Sequence, residues 1–78
     1  MIWPTPGRVR LDSTSLATAA YDHSREQLEL DFRDGTRYVY FGIAPSLYRD
    51  LLCAVSKGIF FNRYIRDHFP YAQLPPEN

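Results

Sequence analysis

Apolar and polar residues alternate from Glu26 to Phe32, with Leu28, Leu30 and Phe32 on one side and Gln27, Glu29 and Asp31 on the other. A period of two marks a strand with one buried face. Arg33-Asp34-Gly35 follows, and Asp-Gly between two such runs predicts a hairpin. The returning strand runs from Thr36 to Phe41 and is rich in β-formers. Ahead of this pair, Leu16 to Tyr21 reads as a strand of small residues. Its alanines also suit a helix capped at Ser13 or Ser15. The strand is preferred, because a turn at Asp22-His23-Ser24-Arg25 and two clearer strands follow directly.

The period changes after Pro45, a residue suited to the first turn of a helix because no amide donor is needed there. Leu47, Leu51 and Val55 recur at helical spacing with Tyr48 and Leu52 beside them, while Arg49 and Asp50 face away. Ser56 is placed to cap a second helix from Lys57. Its expected buried side is Ile59, Phe60, Phe61, Tyr64 and Ile65, leaving Asn62, Arg63 and Arg66 exposed. Pro70 stops any continuation, and the stretch from Leu74 reads as a free end. Two prolines and a glycine exclude a regular helix over residues 1–11, where Trp3 is either an aromatic lid on the core or part of a loose tail. The expected organisation is an N-terminal extension over residues 1–12, one domain over 13–69 and a tail over 70–78. The expected class is α+β, a three-stranded antiparallel meander followed by two helices packed on one face.

The hairpin register decides where Tyr38 and Tyr40 point. A two-residue turn at Asp34-Gly35 would pair Phe32 with Arg37, sending Val39 and Phe41 to the core and both tyrosines outward beside Glu29 and Asp31. A three-residue loop with Gly35 in the left-handed region would pair Phe32 with Thr36 and Leu30 with Tyr38, turning both tyrosines inward. A one-residue slip exchanges the faces completely. The three-residue loop is favoured because it keeps Arg37 out of the core.

Size and charge narrow the function. Seventy-eight residues make one domain at most, and a chain of this length buries only roughly 60% of its unfolded surface. Eleven Phe and Tyr rings are an efficient filling for so small a core. Nine basic and nine acidic side chains cancel, which argues against a dedicated, high-affinity nucleic-acid binder. The distribution is less even. Arg49, Lys57, Arg63 and Arg66 face only Asp50 between Gly42 and Arg66, a local balance of +3, whereas the preceding half carries Asp12, Asp22, Glu26, Glu29, Asp31 and Asp34. Cys53 is the single cysteine, so no internal disulfide or cysteine metal cluster exists, and a reducing cytoplasm is expected. No run approaches the ~20 apolar residues of a membrane span, and no membrane association is expected.

The ordered combination of Tyr38-x-Tyr40, Pro45, Ala54-x-Ser56-x-Gly58 and Phe61-Asn62-x-x-Ile65-Arg66 resembles the KTSC domain, a short bacterial and phage-associated family. Ser13, Tyr21-Asp22, Leu28, Phe32, Gly35 and Leu52 extend the match over nearly the whole expected domain. The family is named for its occurrence at the C-terminus of some lysyl-tRNA synthetases. The resemblance therefore implies a fold and, through that fusion, a link to RNA. The Ile2-Trp3-Pro4 segment lies outside the pattern.

The candidate chemistry is sparse. Cys53 beside the apolar stripe, with His23 in a turn and His68 near the end, reads as a small buried hydrophobe rather than a nucleophile. Glu29 and Asp31 read as a solvated strand face rather than an acid–base pair. No metal spacing or Gly-rich phosphate loop is present, so neither an enzyme nor a cofactor is expected. Ser56-Lys57-Gly58 at a helix start can hold a phosphate, or be a plain joint in which Gly58 permits tight packing. Asn62 is either a ligand contact or a local hydrogen-bonding residue. Tyr38 and Tyr40 are stacking platforms for bases if they face outward, and core rings if they face inward. The leading expectation is a weak RNA-binding module using Lys57, Arg63, Arg66, Arg49 and Asn62. The alternative is a protein-interaction module.

Overall fold

The computed structural model describes residues 8–76. Its order is β1 (Val9–Arg10), β2 (Leu16–Asp22), β3 (Gln27–Phe32), β4 (Arg37–Phe41), α1 (Pro45–Cys53), α2 (Lys57–Tyr64) and β5 (Tyr71–Leu74). The strands form one antiparallel sheet in the order β1-β2-β3-β4-β5. The class is α+β as expected, but the meander of three strands is the middle of a five-stranded sheet. Neither added strand had a local signal strong enough to read. β1 is two residues long, and β5 is an exposed edge hemmed by Pro70 and Pro75. The free end expected from Leu74 thus begins one residue too early, since Leu74 pairs with Arg37. Trp3 and its proposed lid lie outside the described residues.

The turns explain the register. Asp22 Oδ1 accepts from the backbone N–H groups of Ser24 and Arg25, at 3.1 and 3.2 Å, and so folds the β2–β3 connection. Between β3 and β4, the Phe32 N–H donates to Thr36 O at 2.8 Å and Gly35 takes φ 94°. Asp34 Oδ1 accepts from the Thr36 amide and hydroxyl, which locks the three-residue loop. Leu30 therefore faces Tyr38 and Leu28 faces Tyr40. Both tyrosines stand on the apolar side of the sheet.

That side carries Ala19, Leu28, Leu30 and Tyr40, and it meets Ile43, Leu51, Phe61 and Ile65 in one buried cluster. Pro45 starts α1 as expected, and Ser56 Oγ accepts from the Ile59 amide at 3.3 Å to cap α2. The helices bury less than their patterns suggested. α1 ends at Cys53 and Ala54 is extended, so Val55 never completes the stripe and is fully exposed. Cys53 is exposed as well, against the expectation of a buried thiol, because it lies on the last turn away from Leu51. In α2, Phe61 and the following Ile65 are buried, whereas Ile59 is 62% and Tyr64 49% exposed. A helix of eight residues offers only about two turns, so Phe61 is its one buried residue, with Phe60 partly buried against the core and Ile65 following at the C-cap.

The opposite face of the sheet is polar. Arg8 reaches Glu29 and Asp31 at 2.9 Å each, and Arg37 Nε donates to Asp31 Oδ1 at 3.0 Å. The Thr18 hydroxyl adds a donor to Asp31 at 2.9 Å. Glu29 and Asp31 are accordingly ion-paired partners on this face rather than freely solvated carboxylates.

Candidate functional site

A cleft of about 420 Å³ opens between the β4–β5 end of the sheet and α2. Its floor is aromatic. Tyr40 is only 4% exposed, with its ring 5.5 Å from Phe61 and 5.6 Å from Tyr71. Tyr38 is half-buried, 5.7 Å from both Phe32 and Tyr71. Tyr71 joins this row because β5 pairs with β4 so that Tyr71 faces Tyr40. It keeps 57% of its surface open. The inward register and the base-contact role thus do not exclude each other, since the inward tyrosines border a cleft.

One wall is α2. Phe61 is pinned against Phe32 and Tyr40, so Asn62 beside it and Arg66 one turn on line the cleft together. Arg66 donates to Asn62 Oδ1 at 3.4 Å and forms no ion pair among the described residues. Asp67 follows with φ 66° and lines the same space. The opposite rim is Ser15, Asp34 and Thr36. Ser15 is held there because its carbonyl accepts from the Arg33 amide at 2.9 Å. Gly58 closes the packing between rim and helix: a Cβ on it would stand 2.9 Å from Ser15 Oγ.

Burial pushes the Tyr40 hydroxyl up to about 12, with the neighbouring Tyr38 and Tyr71 hydroxyls and Asp67 acting in the same direction and Arg66 against them. Tyr40 therefore stays a neutral phenol throughout the physiological range. Arg66 and Asp67 both act on that one hydroxyl, in opposite senses.

The sequence candidates divide. Tyr38, Tyr40, Gly58, Asn62 and Arg66 meet at the cleft. Lys57 does not line it: its ammonium donates to Ala54 O at 2.9 Å, across the α1–α2 joint. Ser56 and Lys57 border a separate recess of about 310 Å³ shared with Asp12, and a carboxylate there opposes a phosphate. Arg49 and Arg63 are exposed on α1 and α2 and do not line the cleft. Ser15, Asp34, Thr36, Asp67 and Tyr71 were missed by sequence reasoning. None of them carried a local signal that marks a site, because the cleft is assembled from separate parts of the chain. Among the described residues no group of three or more His, Cys, Asp or Glu side chains is placed to hold a metal. No described helix is long and apolar enough to cross a membrane.

The family model of the KTSC domain matches residues 12–69. The crystal structure of a KTSC domain protein from Yersinia pestis superposes with a TM-score of 0.85 and 29% identity, covering 87% of this chain and 96% of that one. A lysine–tRNA ligase of Nostoc punctiforme is 38% identical over 55 residues, which is 70% of this chain and 10% of the ligase. An uncharacterized protein of Stutzerimonas stutzeri is 37% identical over 68 residues, covering 86% of this chain and 96% of the relative. The chain thus spans a small part of the ligase and nearly the whole of the small relative.

Proposed function

Because the chain belongs to the KTSC domain family, and a cleft among the described residues joins tyrosines to Arg66 and Asn62, we propose that it is a non-enzymatic module that weakly binds single-stranded RNA. The observation that carries the reading is the convergence of Tyr38, Tyr71, Asn62 and Arg66 on one space of about 420 Å³. An unstacked base can lie on a tyrosine ring while the guanidinium and the amide reach its edge. The occurrence of the domain within lysine–tRNA ligases, as in the Nostoc relative, gives that chemistry an RNA context.

The charge balance sets the mode. With a formal net charge of zero, few phosphates are neutralised, and affinity comes mainly from stacking. Arg63, on α2 ahead of Arg66, is the cation best placed along the chain to meet the next phosphate. Lys57 and Arg49 contribute at most long-range attraction. A cytoplasmic setting agrees with the single exposed, unpaired Cys53.

The test is an NMR titration of labelled protein with short single-stranded RNA at low and physiological salt. Shifts gathered at Tyr38, Asn62, Arg66 and Tyr71, with only a shallow salt dependence, are expected. Tyr71→Ala should weaken binding roughly tenfold, the typical worth of one stacked base; a cleft whose signals stay still sinks the reading.

A second reading has its own observation. β5 ends the sheet with Tyr71, Ala72 and Gln73 exposed, and an open strand edge can accept a peptide as a further strand. Self-association or a co-purifying protein that protects the β5 amides from exchange would favour it.

A further inference from the structure

The cleft is a poor place for a phosphate. Its cation is Arg66, and its carboxylates are Asp34 and Asp67. Asp34 is occupied, since its Oδ1 accepts both the Thr36 amide and the Thr36 hydroxyl. Asp67 accepts no hydrogen bond and makes no ion pair among the described residues. It is exposed at the cleft, directly after Arg66 in the chain, and both residues act on the Tyr40 hydroxyl. A carboxylate without a partner among the described residues and a guanidinium bonded only to Asn62 thus line one aromatic-floored cleft without pairing with each other.

Resting on the RNA reading above, the geometry points to guanine as the base this cleft selects. Guanine alone among the four bases presents two adjacent donors on its Watson–Crick edge, the N1–H and the 2-amino group. One carboxylate accepts both. Adenine and cytosine offer an amino donor beside a ring acceptor, and uracil offers one N–H between two carbonyls, so each would leave a lone pair facing Asp67. The O6 and N7 acceptors of guanine in turn suit the Arg66 guanidinium, and its large ring stacks well on the half-open Tyr71. The carboxylate that repels a phosphate is the group that recognises this base. Asp67 is then the specificity-determining residue.

The test is fluorescence anisotropy with labelled oligouridine carrying one central guanine, adenine, cytosine or inosine. Guanine should bind roughly tenfold more tightly than adenine or uracil, with inosine, which lacks the 2-amino group, falling between. Asp67→Asn should abolish the guanine preference, so that the variant binds the guanine and adenine oligonucleotides equally. Asp50→Asn, on the exposed side of α1 and outside the cleft, should leave the preference intact. An unchanged amide spectrum outside the site would confirm that both variants fold. Equal binding of all four bases by the parent chain, or a preference that survives Asp67→Asn, overturns the guanine assignment and leaves RNA binding standing. Binding of none of the oligonucleotides overturns both.

Discussion

Gly58 sits where α2 meets the rim of the cleft, and its environment can be tested without touching a ligand. Alanine is favoured over glycine inside a helix by about 1 kcal/mol, but here the new Cβ would lie 2.9 Å from Ser15 Oγ. That hydroxyl ends a short exposed side chain and can turn aside. The two effects should nearly cancel, so Gly58→Ala is expected within about 0.5 kcal/mol of the parent by urea unfolding. Adding Ser15→Ala removes the clash and should make the double variant more stable than Gly58→Ala alone. Gly58→Val, which brings two further carbons against the same rim, should cost about 1–3 kcal/mol. The glycine itself was legible as a packing residue from its place after a cap. Its partner was not, because Ser15 lies in a different part of the chain and nothing local links the two.

At the scale of elements, the sheet is tied together on its polar face. Asp31 on β3 receives bonds from Thr18 on β2, Arg37 on β4 and Arg8 just before β1. Burial would raise its carboxyl, but the hydrogen bonds from Arg37 and Thr18 and the charges of Arg8 and Arg37 outweigh burial and hold it below its ordinary value. A folded-state value below the unfolded one means that the carboxylate stabilises the fold above the unfolded value. That contribution is lost as the pH falls through the lower, folded value. Asp31→Asn should therefore cost about 1 kcal/mol at pH 7, with the difference from the parent shrinking in acid. Urea midpoints taken from pH 7 down to about 2 would show it; a gap that stays constant with pH would mean that the network adds no linked stability. The alternation that defined β3 correctly set Glu29 and Asp31 on the polar side. It could not reveal that two arginines meet them there, since Arg8 was read as part of an extension and Arg37 as a residue merely kept out of the core.

For the whole molecule, β5 is the piece that makes a small core and a cleft possible together. It covers the far edge of β4 and brings Tyr71 against Tyr40. A chain of this size has little stability in reserve, so removing residues 71–78 should cost about 2 kcal/mol, or about 10 °C in Tm. It should also expose β4 as an edge and promote self-association. Calorimetry and light scattering on the truncated chain would measure both, and an unchanged Tm would show that β5 is dispensable. What the sequence determined by itself is the part encoded between near neighbours: the period-two run of β3, the β-forming stretch of β4 after the Asp-Gly turn, the favoured three-residue loop that turns Tyr38 and Tyr40 inward, and the helix starts at Pro45 and Ser56. Those signals are local because backbone preferences and turn hydrogen bonds act within a few residues. Only the tertiary structure decided that Tyr71–Leu74 is a strand, that Val55, Cys53 and Ile59 stay outside, and that Arg66 and Asp67 share a cleft with three tyrosines. The physical reason is that four residues between prolines form a strand only when an open edge is present to receive them. A helical apolar stripe is likewise buried only as far as its helix continues over the sheet.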